Sequence, residues 1–224
     1  MARDNQPKER QLRQLERKQG RRAGFDRILI ISEGSKTEPN YFREIRKTYR
    51  LHTANVEVQP SALGTAPIQV VEYAKSLFEN GDRYKKVQRR AFERVYAVID
   101  RDDHDSYFDA LRLADTLDGT LRNDAKQPVI FKAIASVPCF ELWLLLHYED
   151  VHAPLHRDEV IRRLKVHIPG YAKGASTSFA ITVDHLAIAS QRANRLAERY
   201  SADSAPEPFT AIVDLVELLT MLRT

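Results

Sequence analysis

Apolar residues recur along this chain in two rhythms, and the switches between them lay out most of the predicted elements. Ile28-Leu29-Ile30-Ile31 is a short, continuous, β-branched-rich run, as expected of a strand buried on both faces. It stops at Ser32-Glu33-Gly34, and Thr37-Glu38-Pro39 marks a helix start, since a proline in the first turn lacks only an N–H that has no partner there. Residues 40–50 continue that helix. Val56-Glu57-Val58 predicts a second strand, and residues 66–79 a second helix burying Ile68, Val71, Leu77 and Phe78, ended by Asn80-Gly81. A charged connector, 82–93, leads to the clearest strand, 95–99, which runs straight into Asp100-Arg101-Asp102-Asp103-His104-Asp105. Residues 106–118 fit an amphipathic helix through Phe108, Leu111 and Leu113, closing near Gly119. Residues 129–134 predict a fourth strand, and Pro138 precedes a densely apolar helix at 140–146.

Strands alternating with helices imply crossover connections and an α/β fold on a mainly parallel, four-stranded sheet. After residue 150 no comparable strand is expected. Helices are predicted near 157–167, 180–200 and 208–222, with 170–178 as a loop because of Gly170, Gly174 and its Ser/Thr content. The expected organisation is an arm at 1–24, an α/β domain at 25–148, and a helical extension at 149–224 packing on it.

Composition narrows the class. With 43% apolar and 29% charged residues, the 224-residue chain can bury a core, so wholesale disorder is excluded. No apolar run reaches the roughly 18–20 residues a bilayer span requires, and the charged N-terminal segment lacks the apolar stretch of a secretory signal. One cysteine, Cys139, can form neither an internal disulfide nor a zinc cluster and reads as packing. A cytoplasmic protein is expected. The net charge of +4 hides an asymmetry: residues 1–24 carry eight Lys/Arg against three acids, so the remainder is close to neutral. Arg13, Arg17, Lys18, Arg21 and Arg22 are therefore candidate nucleic-acid contacts, although solvated charged tails are common.

The chemistry concentrates at strand ends, where parallel sheets present their binding residues. Glu33 follows the first strand; Asp100 and Asp102 follow the third. On an extended segment, residues i and i+2 point the same way, so both aspartates can aim at one point while Arg101 faces away. Any one of the three acids is readily explained as a helix cap or turn residue. All three together, with Asp103 and Asp105 crowding the same loop, would repel one another unless a hard cation neutralised them, and Mg2+ is the natural occupant. Two look-alikes fail. Gly34-Ser35-Lys36-Thr37 lacks the glycines a phosphate-binding loop needs, and Pro154 interrupts the spacing of His152 and His156.

Glu33-Gly34-Ser35-Lys36-Thr37-Glu38-Pro39-Asn40-Tyr41-Phe42, then Asp100-Arg101-Asp102-Asp103-His104, then 138–147 (Pro-Cys-Phe-Glu-Leu-Trp-Leu-Leu-Leu-His) resemble the RloB family, a branch of the Toprim superfamily. The resemblance spans about 25–224, and only Ser35, Asp103 and Val137 depart from the expected motif residues. It implies a Toprim, Rossmann-like domain with a metal-dependent phosphodiester site using one or two Mg2+ or Mn2+ ions. Catalytic roles then fall to Glu33, Asp100, Asp102 and Lys36, and metal ligation to Glu33, Asp100 and Asp102. Glu141, in a helix apolar nearly all round, needs a partner or a cation, so it is either a further metal ligand or a carboxylate stabilised by helix N–H groups. Lys36 either contacts phosphate or pairs with Glu33, and Lys173 is a weaker candidate of the same kind. A nuclease cleaving DNA or RNA is the expectation, since the chain has no room for a topoisomerase's tyrosine domain or a primase's zinc module. The resemblance further implies antiphage defence of the abortive-infection type, with an AAA-type ATPase partner of the RloA or AbiL kind. Two alternatives remain: a haloacid-dehalogenase-like phosphohydrolase, which usually carries its Asp pair on the first strand, and a non-catalytic sensor or scaffold.

Overall fold

The computed structural model describes residues 26–52 and 55–222. Four strands, β1 (Ile28–Ser32), β2 (Val56–Pro60), β3 (Arg94–Asp100) and β4 (Ile130–Val137), form a parallel sheet in the order β2-β1-β3-β4. A fifth, β5 (Phe209–Thr210), closes the β4 edge antiparallel, with Ser136 opposite Thr210 and Val137 opposite Phe209. The sheet is thus five-stranded, not four. With two residues, β5 is too short for any alternation to register. It is held by its position: the Ser136 and Thr210 hydroxyls meet at 3.1 Å in the interior, and pairing covers an otherwise open strand edge.

β1 and β3 each serve two cores, as their unbroken apolar runs predict. Ile28, Ile30, Tyr96 and Val98 point to one face, and Leu29, Ile31, Val95, Ala97 and Ile99 to the other. The second face is covered by α2 (Pro67–Asn80) and α3 (Tyr107–Leu117). The first carries α1 (Thr37–Thr48), α4 (Glu141–Leu146), α5 (Arg157–His167), α7 (Leu186–Ala197) and α8 (Ile212–Met221). Residues beyond 149 therefore share a core with β1 and α1. The result is a Rossmann-like α/β architecture with helices on both sides of a mostly parallel sheet.

Two local outcomes bear on the site. Pro39 lies in the first turn of α1, as expected, and that turn is buried at Thr37, Glu38 and Pro39. The helix expected at 180–200 is broken into α6 (Ser178–Thr182), a 3₁₀ turn (Val183–His185) and α7. The Thr182 hydroxyl donates back to the Ser178 and Phe179 carbonyls at 2.8 and 3.2 Å, a local bond that bends a helix rather than extending it. Glu44 on α1 fixes the start of α6 by accepting from the backbone N–H groups of Phe179 and Ala180 at 3.0 and 3.1 Å. Among the described residues no helix is long and apolar enough to cross a membrane.

Candidate metal centre

Strand order reverses between β1 and β3, since the chain leaves β1 toward β2 on one side and reaches β3 on the other. At such a switch point the loops diverge and leave a crevice beyond the carboxyl ends of the strands. Here it is a cleft of about 390 Å³ lined by Glu33, Lys36, Asp100, Asp102 and Glu141, the five residues given catalytic or metal-ligand roles, and by the weaker candidate Lys173. Glu38, His104 and Arg157 line it too. The arm residues Arg13, Arg17, Lys18, Arg21 and Arg22 lie outside the described residues.

Glu33 is placed by the β ladder, its N–H donating to the Val98 carbonyl at 3.1 Å, and its Oε2 accepts from the Asp100 N–H at 3.1 Å. Its other oxygen lies 3.6 Å from His104 Nε2. Asp100 ends β3 and is buried. Asp102 does not continue the extended strand: its φ is +31°, and its orientation is set by a turn. The N–H groups of Arg101 and Asp102 donate to the Ser136 and Pro138 carbonyls at 2.8 and 2.9 Å, which pins that turn to the end of β4. Asp102 forms an ion pair with Arg157 at the start of α5, while Arg101 turns away and lies over the rings of Tyr107 and Phe108. Asp103 and Asp105 are exposed and do not share in the acidic crowding. The repulsion expected within one loop arises instead between carboxylates of different elements.

The tightest group is Glu33, Asp102 and His104, one ligand atom from each lying within 4.8 Å of the others. Asp100 and Glu141 line the same cleft outside that group. Glu141, only 2% exposed, accepts from the Tyr171 hydroxyl at 3.1 Å and faces Lys173 Nζ at 3.6 Å. Lys173 reaches the cleft because its loop is tied to α1: Gly174 N–H donates to Thr37 Oγ1 at 2.9 Å, and Asn40 Nδ2 donates to the Gly174 carbonyl at 3.1 Å. Lys36 is exposed at the rim and, among the described residues, makes no ion pair with Glu33. Cys139 is buried, and burial pushes its thiol well above the usual range, consistent with packing.

Electrostatics follow from this geometry. Burial, with help from Glu38 and Asp102, raises the Glu33 carboxyl from 4.5 to about 7. Burial likewise raises Glu38, with Glu141 adding to the rise, and raises Asp100 well above its ordinary value, with Glu38, Glu33, Glu141 and Asp102 contributing. Asp102 is raised by burial against the pull of Arg157. Five carboxylates thus face Lys36, Arg157, Lys173 and one imidazole. Three of their oxygens, Glu38 Oε2, Asp100 Oδ1 and Asp102 Oδ1, are buried and have no hydrogen-bond partner among the described residues. Such atoms are costly to leave unsatisfied, and an oxygen-rich donor set with orphaned lone pairs fits a divalent cation.

Three cleft residues escaped the reading of the sequence. Glu38 lies in the first turn of α1 beneath Gly34, where a Cβ would fall 2.1 Å from its Oε2; an acid beside a proline at a helix start reads as an ordinary first-turn residue. His104 stands four residues beyond Asp100, and a turn carries it back toward Glu33. Arg157 gives no local signal, since its role depends on how α5 meets the sheet.

A family model described as RloB-like protein matches residues 28–219, most of the chain. No match was found among curated proteins or among solved structures. The family match spans every segment that builds this cleft, and the chain belongs to the RloB family.

Proposed function

We propose that this protein is a Mg2+- or Mn2+-dependent nuclease that hydrolyses phosphodiester bonds in DNA or RNA, through a Toprim-type site. One observation carries the reading: carboxylates from the ends of β1 and β3, with α1 and α4 behind them, meet in one cleft whose open side carries basic residues. Glu33, Asp102 and His104 would hold the cation, with Asp100 and Glu141 as further acidic support. When bound, the cation would offset charge on the phosphate and lower the pKa of a bound water. Lys36 and Lys173 are placed to pair with phosphate oxygens, and Arg157 holds Asp102 in position. In the metal-free cleft the raised Glu33 carboxyl can hold a proton beside His104, and a bound cation would displace that proton.

We extend the proposal to antiphage defence with an AAA-type ATPase partner, since a small nuclease would need such control in its host. The test is hydrolysis of a panel of DNA and RNA in Mg2+ and in Mn2+, with and without the candidate ATPase. Glu33→Ala and Asp102→Ala should each remove several kcal/mol of transition-state stabilisation, a loss on the order of 10³-fold in rate. Undiminished cleavage by both variants would overturn the assignment. Hydrolysis of small phosphate esters alone would point to a phosphohydrolase, and metal binding without hydrolysis to a scaffold.

A further inference from the structure

Beside the carboxylate cleft lies a second cavity, of about 510 Å³, with different walls. Phe108, Pro138, Leu155 and Pro206 make it largely apolar, and Arg101 and Arg157 bring two guanidinium groups to it. Asp102 and Arg157 line both cavities, so the two meet at a single ion pair. Arg101 is held in place rather than free. It lies 5.6 Å over the Phe108 ring and donates through one terminal nitrogen to the carbonyls of Asp102 and His104 at 2.9 and 3.2 Å. Its Nε is buried and, among the described residues, has no acceptor. The carboxylate of Asp103 and the imidazole of His156, both exposed, complete the polar rim.

We propose that this second cavity receives an unpaired nucleobase of the strand whose phosphate enters the carboxylate cleft, which makes the substrate class single-stranded or locally unpaired nucleic acid. The proposal rests on the nuclease reading and deepens it. The volume is that of a small-molecule site, and apolar walls with a few fixed polar groups are what a flat heteroaromatic ring requires. Phe108 and the prolines offer surfaces for a base to pack on, while the partly exposed Arg157 guanidinium beside them can donate to a ring nitrogen or carbonyl. The shared Asp102–Arg157 pair puts that ring next to the reacting phosphate. A base inside a duplex is stacked and paired and cannot reach such a cavity without leaving the helix.

The experiment measures binding in Ca2+ by fluorescence anisotropy, with hydrolysis followed separately in Mg2+ and Mn2+. The probes are a 12-nucleotide DNA strand and its RNA counterpart, their blunt duplexes, and the same strands carrying one abasic position moved along the sequence. Strands should bind roughly 5- to 100-fold more tightly than duplexes, and a single abasic position should lose most of that ratio. Leu155→Trp, which fills the cavity, should bring strand binding down to the duplex level and flatten the abasic scan. Phe108→Ala should do so in part. Thermal melting checks that both variants fold, and the abasic scan on the unaltered protein needs no variant. Equal affinity for strand and duplex, a featureless scan, or an unchanged ratio in a folded Leu155→Trp would overturn the proposal. Cleavage that persists under those outcomes leaves the nuclease reading standing alone; neither binding nor cleavage of any probe sinks both.

Discussion

Glu33 and Glu38 show what the cleft asks of single side chains. A carboxyl whose folded pKa lies above its ordinary value binds more protons folded than unfolded between the two values. For Glu33, stability therefore falls as pH rises from 4.5 to about 7 and stays lower above that. Glu38 and Asp100 have the same sign. A divalent cation pairs with the ionised forms and reverses the penalty. The melting temperature gained on adding Mg2+ or Mn2+ should thus be small near about pH 5 and larger near about pH 8. A gain independent of pH would count against a carboxylate site. His147 titrates oppositely: burial lowers it from 6.5 to about 4, so its contribution is lost as pH falls through that range. That change occurs with or without metal and cancels in the difference. Glu38→Gln separates stability from binding. By removing a buried charge it should raise the metal-free melting temperature by roughly 2–6 °C near neutral pH while weakening the metal-induced gain.

At the scale of elements, what was legible depended on how local the signal was. β1, β3 and β4 are buried runs that speak through their own side chains, so Glu33, Asp100 and Asp102 could be placed at strand ends without a structure. β5 owes its existence to β4, and the break after α6 to a threonine bonding its own turn; neither leaves a period in the sequence. The cleft residues divide the same way. Arg157 enters from a segment that acquires meaning only when α5 packs against a motif more than fifty residues away, and Lys173, a weaker candidate in the sequence, is brought to the cleft by the tie of the 170–177 loop to α1. That loop yields a test. Gly174 has a φ of +87°, and a Cβ there would fall 2.8 Å from Lys36 Cβ, so its close approach to α1 requires glycine. Gly174→Ala should displace Lys173 and Lys36 together. Cleavage should fall about tenfold or more while melting shifts by only a few degrees, because Gly174 itself lies outside both cores and the loop's core anchor, Tyr171, is left in place. A purely structural glycine would instead lower melting and activity in step.

For the whole molecule, the question is how an almost neutral body would hold a polyanion. Within the cleft five acids face three Lys/Arg, and with all five ionised one divalent cation brings that balance only to zero, so the site alone supplies little net attraction for a polyanion. Lys36, Arg157 and Lys173 are the basic residues there that a phosphate backbone could meet. Each neutralised phosphate of a single strand contributes about −0.7 to the slope of log affinity against log salt, so three would give about −2. Residues 1–24 carry eight further Lys/Arg, Arg13, Arg17, Lys18, Arg21 and Arg22 among them. If they contact phosphates, the intact chain should show a markedly steeper slope. Deleting 1–24 should flatten it toward the cleft's own value and weaken binding most at low salt, with the rate per bound substrate little changed. The measurement is a salt titration of oligonucleotide binding for both forms, paired with single-turnover cleavage. An identical slope would leave the arm without this role; a flattened slope with the single-turnover rate also abolished would mean the arm takes part in the chemistry rather than in capture.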